Sequence, residues 1–93
     1  MAIRSIRHGG LRRWFVHGNA SRLHPAHAER IKQILDALDD ASPLEDLAEP
    51  TYRLHPLKGD RRGQWSVRVD RTWRIVFRAQ REDVFDVDLI DYH

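Results

Sequence analysis

The sequence predicts a two-layer α+β domain, with two N-terminal helices packed on one face of an antiparallel β-sheet. Three observations predict it. Apolar residues of the first half recur at helical spacing, those of the second half alternate, and the alternating stretches are joined too closely for anything but antiparallel neighbours. A chain of 93 residues buries only about two-thirds of its unfolded surface, so its elements must share one core. Residues 1–93 are therefore read as a single domain.

Residues 3–6 could open the chain as a short strand. Leu11, Trp14 and Phe15 then fall on one helical face, weakened at its start by Gly9 and Gly10, and Gly18 is placed to end the helix in a left-handed cap. Pro25 suits a first helical turn, and Ile31, Ile34, Leu35 and Leu38 follow the spacing that buries one stripe, which predicts a second helix over residues 25–40. Ser42, Pro43, Leu44 and Glu45 have the form of a capping box, opening a turn whose Leu44 and Leu47 could pack inward. His24 and His27 are expected to be solvated or partly packed rather than metal ligands.

Residues 52–57, 65–69, 73–78 and 84–90 alternate as strands. Requiring apolar residues to share a face fixes the pairing: a turn centred on Arg71 sets Trp65 opposite Phe77, Val67 opposite Ile75 and Val69 opposite Trp73. The next hairpin, looping near residues 79–83, sets Phe77 beside Phe85, Ile75 beside Val87 and Trp73 beside Leu89. One face becomes an apolar wall for the helices to cover. On the other, Arg68 stands across from Arg74 and Arg74 across from Asp88, with Val76 and Asp86 alongside. Opposed guanidinium groups repel unless anions lie between them. The array is thus either a surface ion-pair network closed by the two aspartates or a cationic floor for phosphate.

Charge composition bears on the partner. Sixteen basic and fourteen acidic residues leave a net charge of +2, but the basic side comprises fourteen Arg and two Lys. Guanidinium groups donate in planar pairs to phosphate oxygens and stack on bases, which favours a polyanionic partner; high genomic G+C content would give the same skew. No apolar run approaches the roughly 18 residues of a membrane span. The first residues lack the pattern of a secretory signal and there is no cysteine, so a cytoplasmic location is expected, with neither disulfide nor thiolate metal site. Phosphate loops, nucleophile elbows and helical zinc motifs are also missing.

The run RLHPLKGD at 53–60, WSVRV at 65–69, WRIVF at 73–77 and DYH at 91–93 together resemble, in order and spacing, the HigB group of host-inhibition toxins within the RelE/ParE superfamily. GLRRWF at 10–15 and HPAHAERIKQIL at 24–35 are similar too, so the resemblance covers nearly the whole chain. It implies a RelE-like fold and a type II toxin that cleaves mRNA in the decoding site of the small ribosomal subunit, against 16S rRNA of the 70S ribosome. A cognate HigA-type helix-turn-helix antitoxin would restrain it. Carried over by position, His55, Lys58, Arg74, Asp91, Tyr92 and His93 would form the active site, with Arg53, Arg68 and Arg78 binding RNA. No cofactor and no metal are implied.

The chemistry of those residue types fits. Attack by the RNA's own 2′-hydroxyl needs a base, a cation for charge building on phosphate, and an acid for the departing 5′-oxygen, without a metal. His93 is the first candidate for proton transfer and His55 the second. Lys58 and Arg74 would stabilise the phosphorane, Tyr92 could stack on a base, and Asp91 could hold an imidazole or act as base itself. Each has a plainer alternative: a solvated end at His93, a strand end at His55, a simple turn at Lys58, or a divalent-metal cluster of His55, Asp88, Asp91 and His93. A non-catalytic module binding nucleic acid or protein is the rival from another class. Two departures from relatives stand out: Asp70 and Arg71 replace a common Asn-Gly turn, and Leu89 and Ile90 replace polar residues before the ending.

Overall fold

A computed structural model describes residues 2–40 and 43–91. The elements follow the order β1 (Ala2–Ile3), α1 (Gly9–His17), α2 (Pro25–Leu38), α3 (Pro43–Asp46), β2 (His55–Pro56), β3 (Trp65–Arg68), β4 (Trp73–Gln80) and β5 (Asp83–Asp91). The strands lie side by side as β1-β5-β4-β3-β2. Four are antiparallel, as expected, while β1 runs parallel to β5 and makes the sheet mixed at that edge. No helix among the described residues is long and apolar enough to cross a membrane.

Both main helices begin on a histidine. The Nδ1 atom of His8 accepts the amides of Gly10 and Leu11 at 3.0 and 3.2 Å, and that of His24 accepts the amide of Ala26 at 3.1 Å, which satisfies donors otherwise orphaned in a first turn. This explains Gly10 at a helix start: a Cβ there would stand 2.9 Å from the His8 ring. Gly18 closes α1 in the left-handed conformation, φ 66°, and its amide returns to the Trp14 carbonyl at 3.1 Å. Helix α2 stops at Leu38, two residues short of the expected end, with Asp39 as its cap. The Trp14 indole joins the two helices by donating to the Ala28 carbonyl at 2.9 Å. Ser42, the expected cap of the third turn, lies outside the described residues.

Leu11, Ile31, Ile34, Leu35 and Leu38 from the helices meet Val67, Ile75, Phe77, Val84 and Val87 from the sheet in one core of nearly inaccessible side chains. The β3–β4 pairing matches the expected register, with Trp65 opposite Phe77, Val67 opposite Ile75 and Arg68 opposite Arg74. The β4–β5 pairing does not. Ile75 faces Leu89, Arg74 faces Ile90, Val76 faces Asp88, and beyond a bulge Arg78 faces Phe85.

Two valines cause the shift. Val84 and Val87 are three positions apart, so strict alternation would leave one of them outside; one extra residue on β5 buries both. That residue is Asp86, whose φ of 55° is a conformation Asp tolerates better than most side chains. Its amide donates to Ser5 Oγ at 2.8 Å, and the Ser5 carbonyl accepts the Val87 amide at 3.1 Å. The N-terminal segment thus seals the bulge, although only Ala2–Ile3 and a single bridge from Ile6 to Val87 form, in place of a strand over residues 3–6.

The expected strand at residues 52–57 is also shorter. A 3-10 turn at Pro50–Tyr52 ends on Arg53 with φ 48°, which breaks the extended run and leaves β2 only two residues long.

Candidate active site

Residues directly opposite one another share a face, so register alone lays out the sheet surface away from the helices. One row runs His55, Ser66, Val76 and Asp88 across β2 to β5; the next holds Arg68, Arg74 and Ile90. With strands about 4.8 Å apart and residues about 3.3 Å apart along each strand, the backbones of His55 and Arg74 are about 12 Å apart. An imidazole and an arginine side chain can close that gap around one phosphodiester. Between them the floor is dry, because Ser66 and Val76 are fully buried. A charge held over such a floor is less screened than one over water.

His55 is half-buried, and its Nδ1 lies 2.8 Å from the Arg53 carbonyl. A carbonyl only accepts, so Nδ1 carries the hydrogen and the neutral ring holds its lone pair at Nε2. The left-handed turn at Arg53 aims that carbonyl. His55 and Lys58 line one open cleft of about 410 Å³ with Leu57, Asp60 and Arg61. Lys58 is exposed and precedes Gly59, whose φ of 65° turns the chain.

Arg68 and Arg74 are half-buried and directly opposed. Asp88 stands opposite Val76, not opposite Arg74 as the sequence implied. Asp86 pairs instead with Arg78, whose Nε is 3.6 Å from its carboxylate. Asp91 is exposed at the end of β5, opposite Trp73, so alternation puts it on the helix-side parity, one residue past the Arg74 row. Tyr92 and His93 lie outside the described residues. Among the described residues no three His, Asp or Glu side chains cluster as metal ligands.

Two supporting contacts escaped the sequence reading. Arg30 of α2 donates through Nε and Nη2 to the Arg68 carbonyl at 3.1 and 2.9 Å, and through Nη2 to the Thr51 carbonyl at 2.7 Å. Its guanidinium lies 4.6 Å from the Tyr52 ring centre. This clamp fixes the end of β3 and the turn leading to His55 against one helix. Nothing in local sequence marks it, because its partners are main-chain carbonyls.

The second contact ties α2 to the β3–β4 turn. Asp70 Oδ1 accepts the Thr72 and Trp73 amides at 2.8 Å each, and Oδ2 meets His27 Nε2 at 2.7 Å. The Trp73 and Thr72 amides, and then His27, hold its carboxyl below the ordinary carboxylate range. Asp at the start of a short turn is a readable signal for the first two bonds. His27 is the part that sequence spacing did not show.

Comparison with known proteins agrees with this architecture. Residues 4–93 match the family model described as the RelE-like toxin of type II toxin–antitoxin system HigB. The chain is 40% identical over 91 residues to the Endoribonuclease HigB of Proteus vulgaris, spanning 98% of this chain and 99% of that one. A solved structure, the YoeB/ParE toxin from Agrobacterium tumefaciens, has the same fold at 20% identity, with a TM-score of 0.60 over 100% of this chain and 99% of the other. Fold, register and near full-length match converge on one assignment: this chain belongs to the HigB family of RelE-like toxins of type II toxin–antitoxin systems.

Proposed function

We propose that the protein is an endoribonuclease that cuts mRNA in the decoding site of the ribosome and is restrained by a cognate helix-turn-helix antitoxin. The observation that carries the reading is the placement of His55, with Nδ1 occupied by a carbonyl, on the same sheet face as the Arg68–Arg74 pair. The family match and the activity named for the Proteus vulgaris relative support it.

In this reading Nε2 of His55 takes the proton of the 2′-hydroxyl as that oxygen attacks phosphorus. The P–O5′ bond breaks, a 2′,3′-cyclic phosphate forms, and the His93 imidazolium returns a proton to the leaving oxygen. Arg74 and Lys58 bear the charge gathering on the phosphoryl oxygens, and Arg53, Arg68 and Arg78 hold the flanking strand. Asp91, at the strand end one residue past the Arg74 row, positions the two residues that follow it, and Tyr92 stacks on a base. The reaction needs no metal, because every proton and charge has an assigned side chain.

The ribosome enters for a geometric reason. The clefts on this body of 31 × 30 × 24 Å are open and enclose little of a flexible strand, so in this reading the ribosome supplies the in-line orientation. Purified protein added to translating ribosomes should therefore produce new mRNA ends, and should cut the same RNA far more slowly when it is naked; equal rates would refute ribosome dependence. His55→Ala and His93→Gln should each slow cutting by about 10²- to 10⁴-fold with RNA affinity nearly unchanged. Unchanged growth arrest by both variants would leave a binding module as the better account.

A further inference from the structure

The β5 bulge has an effect beyond burying two valines. By alternation Phe85 would join the core wall; with Asp86 inserted it stands opposite Arg78 on the face that carries the candidate site. It is half-buried and takes no part in the main core. Phe85, Arg78, Gly63 and Asp86 line one open cleft of about 370 Å³.

Arg78 is flanked on two sides, by an ion-pair partner and by a glycine that leaves it room. Its Nε faces the Asp86 carboxylate at 3.6 Å, and its Nη1 lies so close to Gly63 that a Cβ on that residue would stand 2.8 Å away. Gly63 has φ 95°, a conformation that excludes almost every other residue. Asp86 in turn is fixed by Ser5, which meets both its amide and its carboxylate, at 2.8 and 3.4 Å. An aromatic ring beside a braced guanidinium is the combination that recognises an unstacked nucleotide: the ring takes the base and the cation takes the adjoining phosphate.

Arg78 is four residues from Arg74 along β4, about 13 Å at strand rise. That spacing places the cleft a few nucleotides from the bond at the Arg74 row, on the same surface. We infer that Phe85 and Arg78 form a subsite that stacks and anchors one flanking base of the RNA substrate. The inference rests on the nuclease reading and adds to it the residue that would hold one base beside the cut.

The test is a coupling measurement on programmed ribosomes. Wild type, Phe85→Leu, Phe85→Ala and Phe85→Trp are compared in single-turnover cutting of a defined mRNA, and of the same mRNA made abasic at each flanking position in turn. Thermal melting of each variant shows whether it is folded. Phe85→Leu, which keeps apolar bulk, and Phe85→Ala should both cut the intact mRNA roughly tenfold more slowly, and Phe85→Trp should restore the rate. At one flanking position the abasic mRNA should slow wild type by the same factor and slow the Leu variant no further. Full activity of Phe85→Leu, or losses that multiply at every position, would overturn the subsite while leaving the nuclease reading intact. A folded wild type that cuts nothing would overturn both.

Discussion

Replacing Asp70 with alanine removes a turn acceptor and an ion-pair partner together. Oδ1 holds two main-chain amides at 2.8 Å, and Oδ2 holds His27 at 2.7 Å. Hydrogen bonds to a charged group are worth about 1.5–3 kcal/mol each when shielded. The Asp70 side chain is 39% exposed, so local capping, at about 1 kcal/mol, is the better guide for the pair of amides. The half-exposed pair with His27 adds about 0.5 kcal/mol. Asp70→Ala should therefore cost about 1.5 kcal/mol in urea unfolding, equivalent to a fall in Tm of roughly 6–12 °C for a domain of this size.

The pH dependence has a definite sign. Because the folded carboxyl titrates below its ordinary range, its contribution is fully present above the unfolded value, about pH 4, and disappears as pH falls through the folded value. The difference between wild type and variant should be fully present at pH 5 and shrink towards pH 2. His27→Ala combined with Asp70→Ala should cost less than the sum of the two singles. A difference that persists undiminished at pH 2, or midpoints that coincide at pH 7, would show that the charge on Asp70 is not what secures the turn.

Two further outcomes follow from burial and close approach. Ser66 is fully buried, and its hydroxyl has no hydrogen-bond partner among the described residues, so Ser66→Ala should leave stability within about 0.5 kcal/mol of wild type in chemical denaturation; a loss above about 1 kcal/mol would show that the hydroxyl is held in solution. Gly10→Ala should destabilise by about 1 kcal/mol despite alanine's higher helix propensity, because the new methyl meets the capping His8 ring. A rise in Tm would contradict that account.

The sequence made the two helices and the β3–β4 hairpin legible because each offered one consistent pattern. Ile31 to Leu38 form a single stripe, and only one register joins Trp65, Val67, Ile75 and Phe77 on a common face. β5 offered two. Its apolar residues occupy positions 84, 85, 87, 89 and 90, so either parity could face the core, and the structure buries Val84 and Val87 together through a bulge at Asp86 that is sealed by Ser5, eighty-one residues away. His55, Lys58 and the arginine row were legible as residue types, and His55, Arg68 and Arg74 do share a sheet face. Their supports were not: Arg53 acts on His55, and Arg30 on Arg68, through carbonyl contacts that carry no side-chain signature.

The staple between Ser5 and Asp86 joins residues eighty-one positions apart, the kind of contact that is slow to form in folding. Ala2, Ile3 and Ser5 find their sheet partners on β5, some eighty residues further along, so this sheet edge closes only after β5 is in place. A nascent chain lacking β5 has neither the surface around Asp88 and Ile90 nor the buried valines that complete the core.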